Sequence, residues 1–243
     1  MSVNKLQIRI KKGNQLSESE IEEMYNVRSH FMDLKPEIPQ QKDFKFFRDT
    51  VTSANKVFLF TTRSGSIKGL YSVHQFVEKS KATGKKRLVV EPEFGFILEE
   101  YQGKYMAQTV RRNALIAMIK YPFMEKYLLG PAYPASYLTL QKYGGDVWTW
   151  LDTNVPDDVK EVLISYAERH EMIENGHFTG IKSLYTLPKK TGPEEIQRLE
   201  KKSSYNHYKT LNPNWQKGYG LVTLIKISFP ALLKQFNQTK RKK

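Results

Sequence analysis

The fold is decided by Val89-Val-Glu-Pro-Glu-Phe-Gly-Phe-Ile-Leu98 together with Glu99-Glu-Tyr-Gln-Gly-Lys104 and the stretch from there to Lys120. The first segment reads as a buried strand, rich in β-branched and aromatic residues. From Lys104 to Lys120 the period changes to that of a helix, with Ala107, Val110, Ala114, Ala117 and Met118 on one face and Arg111 and Arg112 toward water. Between them Gly103 has no Cβ, so the chain can turn sharply there and lie close to a ligand. The first helical turn then offers unpaired N–H groups and the positive end of the dipole. A pyrophosphate fits such a corner. A strand, a glycine turn and a helix are also the ordinary way for an α/β chain to change direction, so the rest of the sequence has to separate the two readings.

Upstream, a short strand over Lys5 to Lys11 precedes Leu16-Ser-Glu-Ser-Glu-Ile21, where Ser17 and Glu20 have capping-box spacing ahead of Ile21, Met24, Tyr25, Phe31 and Met32. Pro36 and Pro39 separate that helix from a second over Gln41 to Thr52, which carries Phe44, Phe47 and Val51 on one side. Lys56 to Thr62 and Ser66 to Phe76 read as antiparallel strands around a tight turn at Arg63-Ser-Gly-Ser66. With the strand at Val89 they form a meander that ends at the glycine corner. Downstream come a strand from Lys126 to Gly130, a break at Pro131 to Pro134, a helix from Ala135 to Tyr143, and an aromatic strand from Asp146 to Leu151. The order is β-α-α-β-β-β-α-β-α-β, with no internal repeat.

Past a soft boundary near Pro156 the pattern predicts a helix over Asp157 to Ile173, loop or strand over His177 to Leu187, and a polar helix from Pro193 to about Tyr205. The chain then carries a strand over Leu221 to Ser228 and a helix from Pro230 to about Gln238. The expected organisation is a domain over 1–155 with a basic C-terminal extension over 156–243 packed on it. A helical addition carrying an apolar strand has to bury that strand somewhere.

The 243 residues carry 39 Lys and Arg against 25 Asp and Glu, a net charge of +14. From Lys189 to Lys243 there are 13 basic residues and 3 acids, so +10 of that excess lies in the last segment. An anionic partner is expected: a phosphorylated cofactor, nucleic acid, an acidic protein or a membrane surface. With no cysteine, thiol nucleophiles, disulfides and cysteine-ligated zinc are excluded. No apolar run reaches the roughly 18 residues of a membrane helix, and Met1 to Arg9 lacks the apolar core of a signal peptide. A soluble, cytoplasmic protein without a transmembrane segment is the expectation.

The element order, the glycine corner after the fourth strand and the Tyr143-Gly144-Gly145 helix end resemble the GNAT superfamily of acyl-CoA N-acyltransferases over about residues 5 to 151. The resemblance implies an α/β (α+β) fold, a mixed and mostly antiparallel central sheet flanked by helices. It also implies transfer of an acyl group from a thioester to an amine. The donor expected is acetyl-CoA or another acyl-CoA, and the acceptor a small molecule or a protein. The family's pyrophosphate segment is Gln or Arg, two residues, Gly, one residue, then Gly or Ala. It aligns here with Glu100-Tyr101-Gln102-Gly103-Lys104-Tyr105. Gly103 matches, whereas Glu100 places a carboxylate and Tyr105 a ring where the family has other groups.

Coenzyme contacts are implied at Ile97, Leu98, Glu99, Gln102, Gly103, Lys104, Tyr105 and Ala107, with main-chain N–H groups around Ile97 to Glu99 holding the pantetheine arm and polarising the carbonyl. Family members often use a carboxylate on the fourth strand to take the amine proton. Glu93 is favoured for that role and Glu91 is the alternative; strand alternation puts both on one side and Pro92 on the other. The family's leaving-group tyrosine falls on Leu140, with Tyr137 and Tyr143 as the nearest substitutes. The basic extension suits an acidic acyl carrier protein as donor.

A second class of function stays open: a GNAT-like fold without catalysis, serving as a binding module for nucleic acid or another polyanion. Trp148, Trp150 and Trp215 beside tyrosines fit either base stacking or core. His30, His74, His170, His177 and His207 have no compact ligand spacing, so no metal is expected. Walker loops, nucleophile elbows and dinucleotide fingerprints are absent from the sequence.

Overall fold

The computed structural model describes residues 5–228 apart from 33, 35, 102–104, 144, 145, 150, 153, 171, 175, 176, 179, 180, 183–192, 214 and 218. In chain order the elements begin β1 (Gln7–Lys11), α1 (Glu18–Ser29), α2 (Gln40–Ser53), β2 (Lys56–Thr61), β3 (Ile67–Lys79), β4 (Lys86–Ile97), α3 (Tyr105–Lys120), β5 (Glu125–Ala132), α4 (Pro134–Tyr143) and β6 (Val147–Thr149). They continue as α5 (Asp157–Arg169), β7 (Ile173–Glu174), β8 (His177–Phe178), β9 (Ile181–Lys182), α6 (Pro193–Glu200), α7 (Ser203–Leu211) and β10 (Tyr219–Lys226). The fold is mixed α/β, with helices flanking sheet strands whose described pairings are antiparallel except for β4 with β5. Among the described residues no helix is long and apolar enough to cross a membrane.

The described residues form two compact units, one within Met1–Gln75 and Glu91–Ile116, the other within Phe76–Val90, Ala117–Ser183 and Thr191–Lys243. Strands β3 and β4 and helix α3 each contribute a part to both.

In the first unit the strands run in the order β1-β2-β3-β4. Residues alternate across this sheet. Val57, Leu59, Leu70 and Phe94 face Ile21, Met24 and Val27 of α1 and Phe47 and Val51 of α2, forming one core. Helix α1 starts where its sequence says it should. The Glu20 N–H donates to Ser17 Oγ at 3.2 Å, and the Ser17 N–H donates to Glu20 Oε2 at 3.0 Å. Two of the unpaired donors at this helix end are thereby satisfied. The opposite face carries Phe58, Tyr71 and Gly95 and is met by the first half of α3: Met106 lies against Gly95, and Lys56 Nζ donates to Asn113 Oδ1 at 3.1 Å.

In the second unit the order is β4-β5-β10-β6. Six residues of β10, Leu221 to Lys226, pair with Ala132 to Tyr127 of β5, and Thr223 to Ile225 pair with Thr149 to Val147 of β6. The segment expected to pack on the sheet as an addition is one of its inner strands. Leu221-Val-Thr-Leu-Ile225 is buried throughout, as suits a strand covered on both faces. Helix α5 covers one side through Val159, Val162, Leu163 and Tyr166 against Val89, Tyr127, Leu129, Val222 and Leu224. The sequence boundary near Pro156 therefore falls between segments that share a core.

Two further differences are confined to single positions. The predicted helix from Pro193 to Tyr205 is two helices, because Lys202 is extended (φ −107°, ψ 125°). Pro131, expected to break β5, lies inside it opposite Val222. The expected helix over Pro230 to Gln238 lies outside the described residues.

Candidate active site

The second half of β4 is held on β3. The Phe94 N–H donates to Ser72 Oγ at 3.2 Å and the Leu98 N–H to Lys68 O at 2.9 Å. Partner numbers fall as β4 numbers rise, so the two strands run antiparallel here. Gly69 permits the approach: a Cβ there would lie 2.7 Å from Phe96 O and 2.9 Å from Ile97 Cα. Phe94 and Phe96 belong with the core of α1 and α2, their rings 5.1 Å from Phe47 and 5.5 Å from Phe31 respectively. Alternation sends Glu91, Glu93, Gly95 and Ile97 to the α3 side.

Glu91 is buried and Glu93 half-buried, and their carboxylate oxygens lie within 4.8 Å of each other. The expected shared face of these two carboxylates is thus realised in side-chain geometry. A carboxylate that is half open to water, as Glu93 is, has the chemistry to accept a proton from an approaching ammonium. Beyond Ile97, which is buried, the chain makes a 3-10 turn over Glu99–Tyr101, closed by the Tyr101 N–H to Leu98 O at 2.9 Å. Glu99 and Glu100 are exposed. Because Lys68 O takes the Leu98 N–H, that donor serves the sheet.

Gln102, Gly103 and Lys104 lie outside the described residues. Helix α3 begins with Tyr105, whose hydroxyl oxygen accepts the Leu6 N–H at 3.1 Å. The Tyr105 side chain is therefore tied to the chain leading into β1. Ala107 is exposed one position past Met106.

The tyrosines of α4 belong to the second unit. Tyr137 is buried, its ring centroid 5.2 Å from that of Tyr208, and its hydroxyl accepts Gln141 Nε2 at 2.8 Å. Burial pushes the Tyr137 hydroxyl above its usual value, Asp152 adds to that, and the Gln141 bond acts in the opposite direction. Leu140 is half-buried, and the side chain of Tyr143 lies outside the described residues. Trp215 is core, 2% exposed beside Tyr205 and Tyr208; Trp148 borders the α5 core; Trp150 lies outside the described residues. An open groove of about 980 Å3 between α4, β6 and the start of α7 is lined by Gln141, Asp146, Trp148, Lys201 and Lys202 among others, and by none of the residues singled out for catalysis or cofactor binding.

Sequence reasoning passed over Tyr71 and Gly95. Tyr71 lies opposite Gly95: a Cβ on Gly95 would meet Tyr71 Cδ2 at 3.5 Å and Met106 Cε at 3.7 Å. The available signal was the alternation of β3, which sets Tyr71 on one face without saying which residue of β4 it faces.

No family model matches the chain, and no curated protein matches it. Among solved structures it is similar to an acetyltransferase of Trypanosoma brucei (17% identity, TM-score 0.41, 62% of this chain and 99% of that one). It is also similar to a GNAT family N-acetyltransferase of Escherichia coli in complex with CoA (13% identity, TM-score 0.38, 56% of this chain and 67% of that one). A third similarity is to a GCN5-related N-acetyltransferase of Kribbella flavida (14% identity, TM-score 0.40, 59% of this chain and only 34% of that one). These are structures of the kind the sequence resembles.

Proposed function

We propose that the chain is an N-acyltransferase that moves an acyl group from an acyl-CoA to an amine. The observation that carries this reading is the pair Glu91 and Glu93. Their oxygens lie within 4.8 Å of each other on the α3 side of β4, shortly before Gly95 and upstream of α3. In this reading Glu93, the more exposed of the two, takes the proton of the attacking amine and Glu91 assists in drawing the cationic acceptor. The corner around Gly103 and the first turn of α3 hold the pyrophosphate by main-chain N–H groups.

A thermal-shift titration with acetyl-CoA, longer acyl-CoAs and free CoA tests it, run beside Gly103→Glu. Ligand at a hundred times its dissociation constant stabilises the folded state by about 2.7 kcal/mol. A shift with the acyl-CoAs that Gly103→Glu abolishes is the expected result. No shift with any acyl-CoA refutes the reading and turns attention to carrier-bound donors and polyanions.

A further inference from the structure

Tyr71 is 5% exposed. Its ring packs 5.7 Å from that of Phe58 on the same face of the first unit's sheet. Burial is the cause acting on its hydroxyl, with no side-chain hydrogen bond contributing, and the hydroxyl oxygen is not among those sealed from water without a partner. Buried tyrosine hydroxyls are ordinarily bonded, and those of Tyr25 and Tyr105 in the same unit both are, to Asp43 and to the Leu6 N–H. The Tyr71 hydroxyl instead lies on the face where Gly95 leaves the sheet open, within reach of water or a ligand.

Gly95, directly opposite, is exposed and lacks the side chain that would close the space beside the Tyr71 ring. Packing does not demand a glycine there. An added Cβ would make only ordinary contacts, 3.5 Å to Tyr71 and 3.7 Å to Met106, whereas at Gly69 it would collide with backbone at 2.7 Å. Along β4, Glu93 lies two residues before Gly95 and Ile97 two residues after, about 7 Å in each direction at strand rise. A thioester whose pantetheine arm runs along the Ile97 side and whose carbonyl carbon must come within reach of an amine deprotonated by Glu93 has its carbonyl at the level of Gly95.

We infer that the Tyr71 hydroxyl donates a hydrogen bond to the carbonyl oxygen of the acyl thioester and to the oxyanion formed from it. This rests on the acyl-transfer reading and adds to it a side-chain hydrogen-bond donor for the carbonyl oxygen. In the reaction the amine nitrogen attacks the carbonyl carbon, its proton passes to Glu93, and the carbonyl π pair moves to the oxygen that Tyr71 faces. Collapse restores the C=O bond and breaks C–S, with the electron pair leaving on sulfur. The proton held by Glu93 then returns to the thiolate through water. Tyr71 keeps its own proton throughout. Burial pushes its hydroxyl well above the usual value of 10.0, and a group that weakly acidic does not protonate a thiolate, whose conjugate acid has a pKa of about 8.5. It is suited to donate a hydrogen bond while remaining neutral.

The test is calorimetric titration of the full chain and of Tyr71→Phe with acetyl-CoA and with S-ethyl-CoA, a thioether that lacks the carbonyl. Infrared spectra of bound acetyl-CoA labelled with 13C at the carbonyl accompany it. The wild type is expected to prefer acetyl-CoA by about five-fold, the effect of one neutral hydrogen bond, and to lower the carbonyl stretch. Tyr71→Phe is expected to bind S-ethyl-CoA as the wild type does while losing both the preference and the band shift. A wild type without preference, or a variant that retains the preference and the shifted band, overturns the role of Tyr71 and leaves the acyl-CoA reading standing. Failure of the wild type to bind either compound overturns that reading and this inference with it. Should Tyr71→Phe fold poorly, 3-fluorotyrosine at position 71, nearly isosteric and a stronger donor, is expected to move the band further, and an unmoved band overturns the proposal.

Discussion

Replacing Asp43 by Asn tests the packing on which the candidate site is built. Asp43 is 2% exposed on α2 and receives Arg28 Nη2 from α1 at 2.8 and 2.7 Å and the Tyr25 hydroxyl at 2.8 Å. Arg28 is equally buried, with its guanidinium 4.8 Å from the Tyr25 ring centroid and 5.4 Å from that of Phe47. These bonds join the two helices that cover one face of the β1 to β4 strands. Removing one charge of a buried pair leaves the other in a poorly solvated place and costs about 3–5 kcal/mol. For a chain of this length each kcal/mol moves the melting point by about 2–4 °C, so a fall of roughly 6–20 °C is expected. Urea unfolding measured by circular dichroism should show a lower midpoint with an unchanged slope. The double variant Arg28→Met, Asp43→Leu, which replaces the pair by apolar groups of similar size, should return close to the wild type. A loss below about 1 kcal/mol in Asp43→Asn, or a double variant as unstable as the single one, refutes the expectation, because either result means the pair is hydrated rather than buried.

Two other substitutions separate local stability from chemistry. Burial raises the Glu20 pKa, but hydrogen bonds from Lys11 and the Ser17 N–H, with the charges of Lys11 and Arg9, outweigh it and hold the carboxyl below its usual value. Its stabilisation is therefore present above the unfolded-state pKa and lost as pH falls through the folded one. Glu20→Gln, which can keep the capping bond but loses the ion pairs with Lys11 and Arg9, should destabilise by about 0.2–1 kcal/mol at neutral pH, a difference that shrinks below about pH 4 in paired urea titrations; a difference that grows on acidification refutes the assignment. Tyr137→Phe removes a hydroxyl that is bonded, among the described residues, to Gln141 of its own helix. About 1 kcal/mol of stability should be lost, and a fall in acyl transfer of about a hundred-fold with unchanged stability would instead assign Tyr137 the role of leaving-group acid.

Local signals carried much of the architecture. The Ser17 and Glu20 spacing announced the start of α1, and the alternation of β-branched and apolar residues with helical periods yielded the order from β1 through β6. Features fixed by distant partners were not legible. The place of β10 between β5 and β6 depends on ladders such as Leu221 with Ala132 and Thr223 with Thr149, and no local pattern names a strand's neighbours. The Tyr105 hydroxyl meets a backbone N–H 99 positions away. At the candidate site the shared face of Glu91 and Glu93 came from alternation alone, whereas Tyr71 required the register between β3 and β4, set in part by a side-chain bond from Ser72. The single predicted helix after Pro193 failed at Lys201-Lys202, where nothing in the local composition forbids a helix and the backbone is extended by its setting.

The position of β10 also governs how the polyanion alternative has to be judged. A truncation after Leu187 would remove the basic C-terminal segment, but it would also remove β10, whose loss leaves Leu129, Leu224's partner across the ladder, and the inner edge of β5 exposed to water. Loss of nucleic-acid binding in such a fragment would report unfolding rather than a binding site. Nor is all of the charge in that segment free to act on a polyanion. Lys226 pairs with Glu125, and its hydrogen bond is the foremost cause holding that carboxyl below its usual value, while Lys209 lies 3.6 Å from Glu200. Affinity for phosphate backbones grows with the number of cations that can reach them, so the decisive change is to neutralise Lys240-Arg-Lys-Lys243 in the otherwise complete chain. Binding that survives that change at constant salt cannot be attributed to the terminal charges, and binding that disappears assigns it to them.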